Sequence, residues 1–314
     1  MSLKICYNYL EIEGEIMKAI CVGHSTFDTT LPMTAYPIEN DKYRIPYHVE
    51  CGGGSGPNGA YVLAKWGIDT TIISALGNDY QADRIIEEFK SVGANTNYLQ
   101  KLPTNKTSCS YIFANMENGS RTIVTSKASP IRKLDIKEKL QADVILIDGE
   151  HPETAKKVIL ENPSAISVFD ASRINDDNLE LGKMITYLVC SHEFAEKFAG
   201  IKIDYEKINT IEACYKKLKE YFKTNVIITL ESYGSYTEIS GEGQIIPSIK
   251  VKALDSTGAG DIFHGSFAYF ISHGYSLLES IHYASITGAL SATKIGARYS
   301  VPELKEVLEY DTLI

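Results

Sequence analysis

Two glycine-rich turns hold the residues of this chain best placed to do chemistry. One is CGGGSGPNGAYVLAKWG (51–67), which contains a formal GxGxxG at Gly54, Gly56 and Gly59 and then a helix-like pattern. The other is KVKALDSTGAGDIFHGSFAYFISHG (250–274), where a β-like run enters Asp255-Ser256-Thr257-Gly258-Ala259-Gly260-Asp261 ahead of a helical apolar pattern. Small residues at a helix start let backbone N–H groups converge on an anion, and the helix dipole adds a favourable field. The second turn is therefore a phosphate site by residue type alone. Asp261 is odd there, because a carboxylate repels a phosphate unless it has a chemical task. The residues leave two readings open for it, a helix cap and a catalytic base.

The first turn raises a different class, an NAD-dependent oxidoreductase, and Asp79 does follow Gly59 by 20 residues. A dinucleotide fingerprint needs a buried parallel strand directly before its first glycine and an acid at the tip of the second strand. Here the preceding RIPYHVEC alternates polar and apolar and contains Pro46, which suits an edge strand. Asp79 falls beyond Gly77 and Asn78, in a turn. The context disfavours the dinucleotide reading. No GxxxxGK followed by Ser or Thr occurs, so Walker-type NTPases are excluded. The seven histidines show no HExxH spacing, which removes zinc hydrolase chemistry. Cys6, Cys21, Cys51, Cys109, Cys190 and Cys214 form no CxxC pair, and this spacing predicts buried reduced thiols. A net charge of −9 argues against a nucleic-acid surface but permits a nucleotide, whose charge Mg²⁺ and helix N-termini can meet.

What must position these turns is an alternation of strands and helices. AICVG, TIISAL, DVILID, AISVFD, TYLVCS and NVIITL are short β-rich runs separated by helical patterns, and they predict a mostly parallel sheet covered on both faces. The helix expected over 205–222 places Ile208, Ile211, Tyr215, Leu218 and Phe222 on one core-facing stripe. Two stretches break the rhythm. Residues 106–125 predict a hairpin whose Asn118-Gly119 suits a type I′ turn, and 29–50, with three prolines, predicts irregular or edge strands. Together they could form a small β-layer over the strand ends. With 314 residues, 44% of them hydrophobic, the chain has ample core for one large α/β domain or two modest ones. Residues 1–17 read as a peripheral extension, and no linker or repeat is seen. With no run of roughly 18 apolar residues and no leader-like start, a cytoplasmic location without membrane contact is expected.

DSTGAGD with its following helix closely resembles the C-terminal signature of the PfkB, or ribokinase-like, carbohydrate kinases, a pattern near DTxGAGDxF. The resemblance runs from about Lys18 to Glu309: CVGHSTFD with its terminal aspartate, the glycine loop with Asn58, the GND at Gly77–Asp79, the hairpin with Gly119, the VIITL strand and a closing IGARYSVPE. It implies a ribokinase-like three-layer α/β/α fold over 18–314, with a mostly parallel central sheet and a small β-sheet lid from 29–50 and 106–125. It implies ATP-dependent phosphorylation of a hydroxymethyl group on a small sugar, as in fructokinases and ribokinases. Asp261 is then the base, and the N–H groups around Gly258, Ala259 and Gly260 stabilise the transferred phosphoryl group. Asp28, Gly53, Gly54 and Asn58 match the sugar-gripping positions. Thr229 and Gly234 match the nucleotide-side TLGxxG, although Glu231 replaces its first glycine. Asp255, Thr257, Gly296 and Ser300 match a monovalent-cation site, usually for K⁺.

Three departures accompany the match. Ser191-His192-Glu193-Phe194 stands where the family has an NxxE that organises Mg²⁺, so Glu193 either inherits that role or is a surface or capping residue. Ser55 replaces the lysine of GGKGAN, and Ser285 replaces an asparagine on the adenine side. The resemblance also implies lids that pair between two subunits as a homodimer. A nucleoside kinase and a non-catalytic sugar or nucleotide sensor remain the alternatives.

Overall fold

Short β-branched runs build the centre of the molecule, which a computed structural model describes over residues 16–310. The extension expected over 1–17 lies outside the described residues except for its last two. In chain order the strands are β1 (Lys18–Val22), β2 (Thr26–Met33), β3 (Val49–Gly53), β4 (Asp69–Leu76), β5 (Asn95–Lys101), β6 (Ser108–Asn115), β7 (Arg121–Ser126), β8 (Val144–Ile147), β9 (Ile166–Ala171), β10 (Tyr187–Ser191), β11 (Asn225–Thr229), β12 (Ser235–Ile239) and β13 (Glu242–Ile246). The helices are α1 (Ser55–Lys65), α2 (Tyr80–Ser91), α3 (Pro152–Glu161), α4 (Asp176–Leu181), α5 (His192–Ala199), α6 (Ile208–Phe222), α7 (Ala259–Ser272), α8 (Leu277–Ser291), α9 (Ala297–Ser300) and α10 (Leu304–Tyr310).

Nine strands form the large sheet in the order β13-β12-β11-β10-β9-β8-β1-β4-β5. From β5 to β11 all neighbours pair in parallel, and β12 and β13 close that side antiparallel. The period of two in each strand feeds two cores. Ile20 and Val22 of β1 pack with residues of α3 to α6, whereas Ala19 and Cys21 pack with α1, α2, α7 and α8. Burying an Ile, Leu or Phe side chain is worth roughly 1.5–3 kcal/mol, so a run that is apolar on both faces is stable only in this sandwiched position. The expected three-layer fold is what the chain adopts. In α6 the stripe holds at Ile211, Tyr215, Leu218 and Phe222, but the helix starts three residues late and leaves Ile208 46% exposed. The hydroxyl of Thr210 accepts from the Asp204 N–H at 2.9 Å and holds that chain in a turn instead.

The smaller sheet has the order β3-β2-β6-β7 and forms the lid. It starts at Thr26, earlier than the expected 29, and therefore contains Asp28; residues 34–48 between its first two strands are irregular. The glycine run at 51–56 leads out of β3, an edge strand of this lid and not a central strand, and into α1, which removes the dinucleotide reading. The hairpin β6–β7 differs from the type I′ expectation. Asn115 N–H bonds to Ser120 O at 2.8 Å and Gly119 N–H to Asn115 O at 2.7 Å, so the loop is Met116–Gly119 and only Gly119 has positive φ, 71°. The side chains of Asn115 and Asn118 accept from Glu117 N–H at 3.0 Å and Ser120 N–H at 2.9 Å, and these local turns favour the longer loop. The five described cysteines are free thiols, and four of them are buried, as expected. No helix among the described residues is long and apolar enough to cross a membrane.

Candidate active site

After β1 the chain builds outward through β4 and β5, then returns to β8 on the other side of β1 and continues to β11. That reversal makes a crevice at the carboxyl ends of β1 and β8, where ligands of open α/β sheets bind. Polar side chains gather there. Asp148, just past β8, takes Gly56 N–H at 3.1 Å and His24 N–H at 2.9 Å on Oδ2, and Glu150 N–H at 3.1 Å on Oδ1. A single buried carboxylate thus ties the glycine turn to two strand ends.

The glycines of that turn serve close packing. Gly54 has φ 98°, and a side chain on it would strike the carbonyl of His24. A Cβ on Gly53 would overlap the carboxylate of Asp28. Gly59 meets Gly265 of α7 backbone to backbone, and a Cβ on Gly265 would lie 2.6 Å from Gly59 O. α1 and α7 can therefore approach closely, and their closeness brings Asn58 Nδ2 to 2.8 Å from Asp261 Oδ2 across 203 residues of sequence. Asp261 makes no cap to its own helix: the N-cap is Gly258, with φ 74°. The capping reading is excluded by this geometry.

The site is crowded with acids. Burial pushes the Asp261 carboxyl above its ordinary range, countered by the Asn58 and Ser55 hydrogen bonds and by Arg121, while Asp148 adds to the rise. Asp28 is 6% exposed and burial lifts it from 3.8 to about 6, although Thr26 donates to it at 2.8 Å. Burial also raises Asp148, and it raises Asp170 at the end of β9, with Asp261 and Asp148 adding to the latter's shift. A carboxylate with a raised pKa is a stronger base at neutral pH.

The anion turn itself is open on one side. No atom lies within 4 Å of where a Cβ on Gly260 would be, so its backbone is accessible to a ligand. Ala259 N–H turns back to Ser256 O at 3.3 Å, and the following first-turn N–H groups point out of the helix start. Behind the turn, the two oxygens of Asp255, 2% exposed, take Thr257 N–H at 2.9 Å and Gly296 N–H at 3.0 Å. The buried Thr257 hydroxyl has no hydrogen-bond partner among the described residues. A buried carboxylate with no ion pair among the described residues, beside an orphaned hydroxyl oxygen, fits a small cation. Ser300 is close to Gly296 through its N–H bond to Gly296 O at 2.9 Å, but its own hydroxyl is engaged with Ala297 O at 2.7 Å.

On the far side, Thr229 ends β11 and Gly234 lies just before β12 with φ 111°, and a side chain on Gly234 would strike Ile246 O. Between them Glu231 adopts φ 52°, left-handed backbone on a residue that is not glycine. Ligand atoms of His192, Glu193 and Glu231 lie within 4.8 Å of one another. The Glu193 and Glu231 oxygens suit Mg²⁺, while the imidazole beside them is a softer ligand. Capping of α5 falls to Ser191, whose hydroxyl accepts from Phe194 N–H at 3.2 Å, and not to Glu193. The Ser285 hydroxyl is spent on Ile281 O of its own helix at 2.9 Å.

Several site residues carried no motif. Arg121 in β7 donates to the Ser256 hydroxyl at 2.9 Å, and that hydroxyl donates to Gly119 O at 2.8 Å, so the hairpin tip sits on the anion turn. His264 lies 3.2 Å from Asp170, and Arg298 is buried beside Asn58. An aspartate at the ends of both VILID and VFD was the signal for Asp148 and Asp170. Nothing in sequence marks Arg298.

Comparison with known proteins bears on the family and the fold. The chain is similar to a ribokinase of Staphylococcus aureus, 28% identical over 92% of this chain and 98% of the relative. It is 23% identical to a deoxyribokinase of Salmonella typhi over 95% and 99% of the two chains. The structure of Arabidopsis thaliana ribokinase complexed with ribose and ATP superposes with a TM-score of 0.72 at 22% identity, covering 94% and 98%. The profile of the pfkB family carbohydrate kinases matches residues 17–304, and the chain belongs to that family.

Proposed function

We propose that this sugar kinase transfers the γ-phosphoryl group of ATP to the hydroxymethyl group of a pentose, ribose or deoxyribose. The observation that carries this reading is the contact between Asn58 and Asp261 at the foot of the open Gly258–Gly260 turn. A sugar hydroxyl lying on Asp261 would lose its proton to that carboxylate as its oxygen attacks phosphorus, and the turn would receive the charge on the transferred group. Asp28, Asn58 and the backbone at Gly53 and Gly54 supply the acceptors and donors that a polyol needs. Thr229 and Gly234 would face the nucleotide, whereas Ser285, its hydroxyl already bonded, would contribute shape only. Glu193 and Glu231 would supply protein oxygens to an Mg²⁺ carried with the nucleotide, which would neutralise phosphate charge. Asp255, Thr257 and the Gly296–Ser300 turn would hold K⁺ and fix the anion turn from behind.

The chemistry fits a kinase unit spanning residues 18–314, with the small sheet closing over the sugar to exclude water. Sugar-dependent ADP release across ribose, deoxyribose, fructose and a set of nucleosides tests the substrate. A preference for ribose or deoxyribose is expected. A preference for nucleosides would replace this reading with the nucleoside kinase, and saturable binding without turnover would leave a sensor. Activity is expected to be higher in potassium than in sodium or choline buffer, and equal rates in all three would remove the cation assignment.

A further inference from the structure

Arg298 is 1% exposed, an unusual position for a guanidinium, and it lies in the α9 turn that follows Gly296. Its Nη1 meets Glu88 Oε2 of α2 at 3.1 Å, its Nη2 reaches Gly53 O at 3.5 Å, and its Nε faces Asn58 Oδ1 at 3.4 Å. The guanidinium lies 4.3 Å from the Phe89 ring centre. Glu88 Oε2 also accepts from Gly52 N–H at 2.8 Å, and a side chain on Gly52 would overlap the guanidinium. Desolvating such a pair costs about what its attraction returns, so stability alone does not account for burying it.

Its geometry gives it another task. The amide of Asn58 has an oxygen end and a nitrogen end of nearly equal shape. Turned one way it donates to Asp261; turned the other way it would set its carbonyl oxygen against the carboxylate. A cation on Oδ1 selects the first orientation. We propose that Arg298 is a positioning residue for phosphoryl transfer: held by Glu88, it fixes the Asn58 amide so that Nδ2 stays on Asp261, and so sets the charge and aim of the base. This rests on reading Asp261 as the base.

The other groups that face Asp261 are Ser55 of α1, Arg121 of β7, Asp148 beyond β8, Asp28 of β2 and Asp170 at the end of β9, while His264 of α7 faces Asp170. Among these groups Arg298 acts directly on Asp28, whose carboxyl it lowers, so each variant is also measured on an Asp28→Asn background, which removes that titration. The test measures kcat against pH at saturating sugar for Arg298→Met combined with Glu88→Leu, which removes the buried pair as a unit in favour of apolar groups. Arg298→Lys is the second variant, because it keeps a buried cation for Glu88 but gives up the fork that reaches Asn58. With the Asn58 donor no longer fixed, protonation of Asp261 becomes easier. The acid limb of the profile is expected to move up by about one pH unit, and kcat at pH 7 to fall about tenfold. Arg298→Lys should move the limb in the same direction by less. A limb at the wild-type position in either folded variant, whatever its melting temperature, overturns the proposal. Turnover retained by Asp261→Asn would instead overturn the base assignment, so the two failures are distinct.

Discussion

Asp28 is 6% exposed, with its carboxylate lying where a side chain on Gly53 would be, and burial lifts it from 3.8 to about 6. Because the folded-state value is the higher one, ionising Asp28 costs native stability as pH rises through about 6, and below its ordinary 3.8 the penalty is absent. Asp28→Asn is therefore expected to be more stable than the parent at pH 8 by about 1–2 kcal/mol, with the gain gone in acid, as read from melting curves at the two pH values. The same change should raise the KM for sugar at least tenfold, since a hydrogen bond to a charged acceptor is worth roughly 1.5–3 kcal/mol. Asp261→Asn differs in kind. Its amide can still sit beside Asn58, so folding should persist in circular dichroism, while kcat falls by about 10³-fold or more because nothing takes the hydroxyl proton. Asp261 was legible through its motif and Asp28 through CVGHSTFD, although Asp28 lies inside β2 and does not end a strand. Arg298 was not, because an arginine in a polar-looking turn reads as surface until the packing of α1, α2 and α9 encloses it.

At the level of elements, glycines that look alike in sequence do different work. Gly265 approaches Gly59 so closely that a methyl group must push α1 from α7, stretching the 2.8 Å contact between Asn58 and Asp261. Gly260 has open space where a methyl would go. Gly265→Ala is expected to lose about 1–3 kcal/mol of stability along with activity. Gly260→Ala should melt like the parent yet lose turnover, because the methyl would occupy the place of the phosphoryl group. Paired melting and kcat measurements separate the two cases, and equal loss of stability in both variants would contradict the packing argument. The parallel strands were readable because each carries apolar residues on both faces. The hairpin turn was not, because the Asx turns at Asn115 and Asn118 lengthened a loop that the Asn-Gly pair alone suggested would be tight.

Over the whole molecule, the lid presents β7 entirely to solvent, with Ile123 46% and Val124 54% exposed, and Tyr111 of β6 50% exposed. An exposed apolar edge strand usually has a partner. A second copy of this chain covering it as a homodimer is the occupant we propose, and Val124→Asp is expected to halve the mass seen by light scattering and to raise the KM for sugar. An unchanged mass would show that the face is not a subunit contact. The hairpin tip also docks on the anion turn through Ser256 and Gly119, so the lid and the phosphate site are held together.

The sequence by itself determined the layered fold, the two glycine turns and the carboxylate at the second, because strand periodicity, helix-start chemistry and a short motif are local properties. Only the tertiary structure decided what the turns are for. Gly59 belongs to a GxGxxG that local reading offers to a dinucleotide, yet its role is to admit α7, and residues 203 positions apart thereby share a hydrogen bond. Which buried charges face that bond, and which way the Asn58 amide points, depend on contacts between four separate segments, and distances across space are not written in the local order of residues.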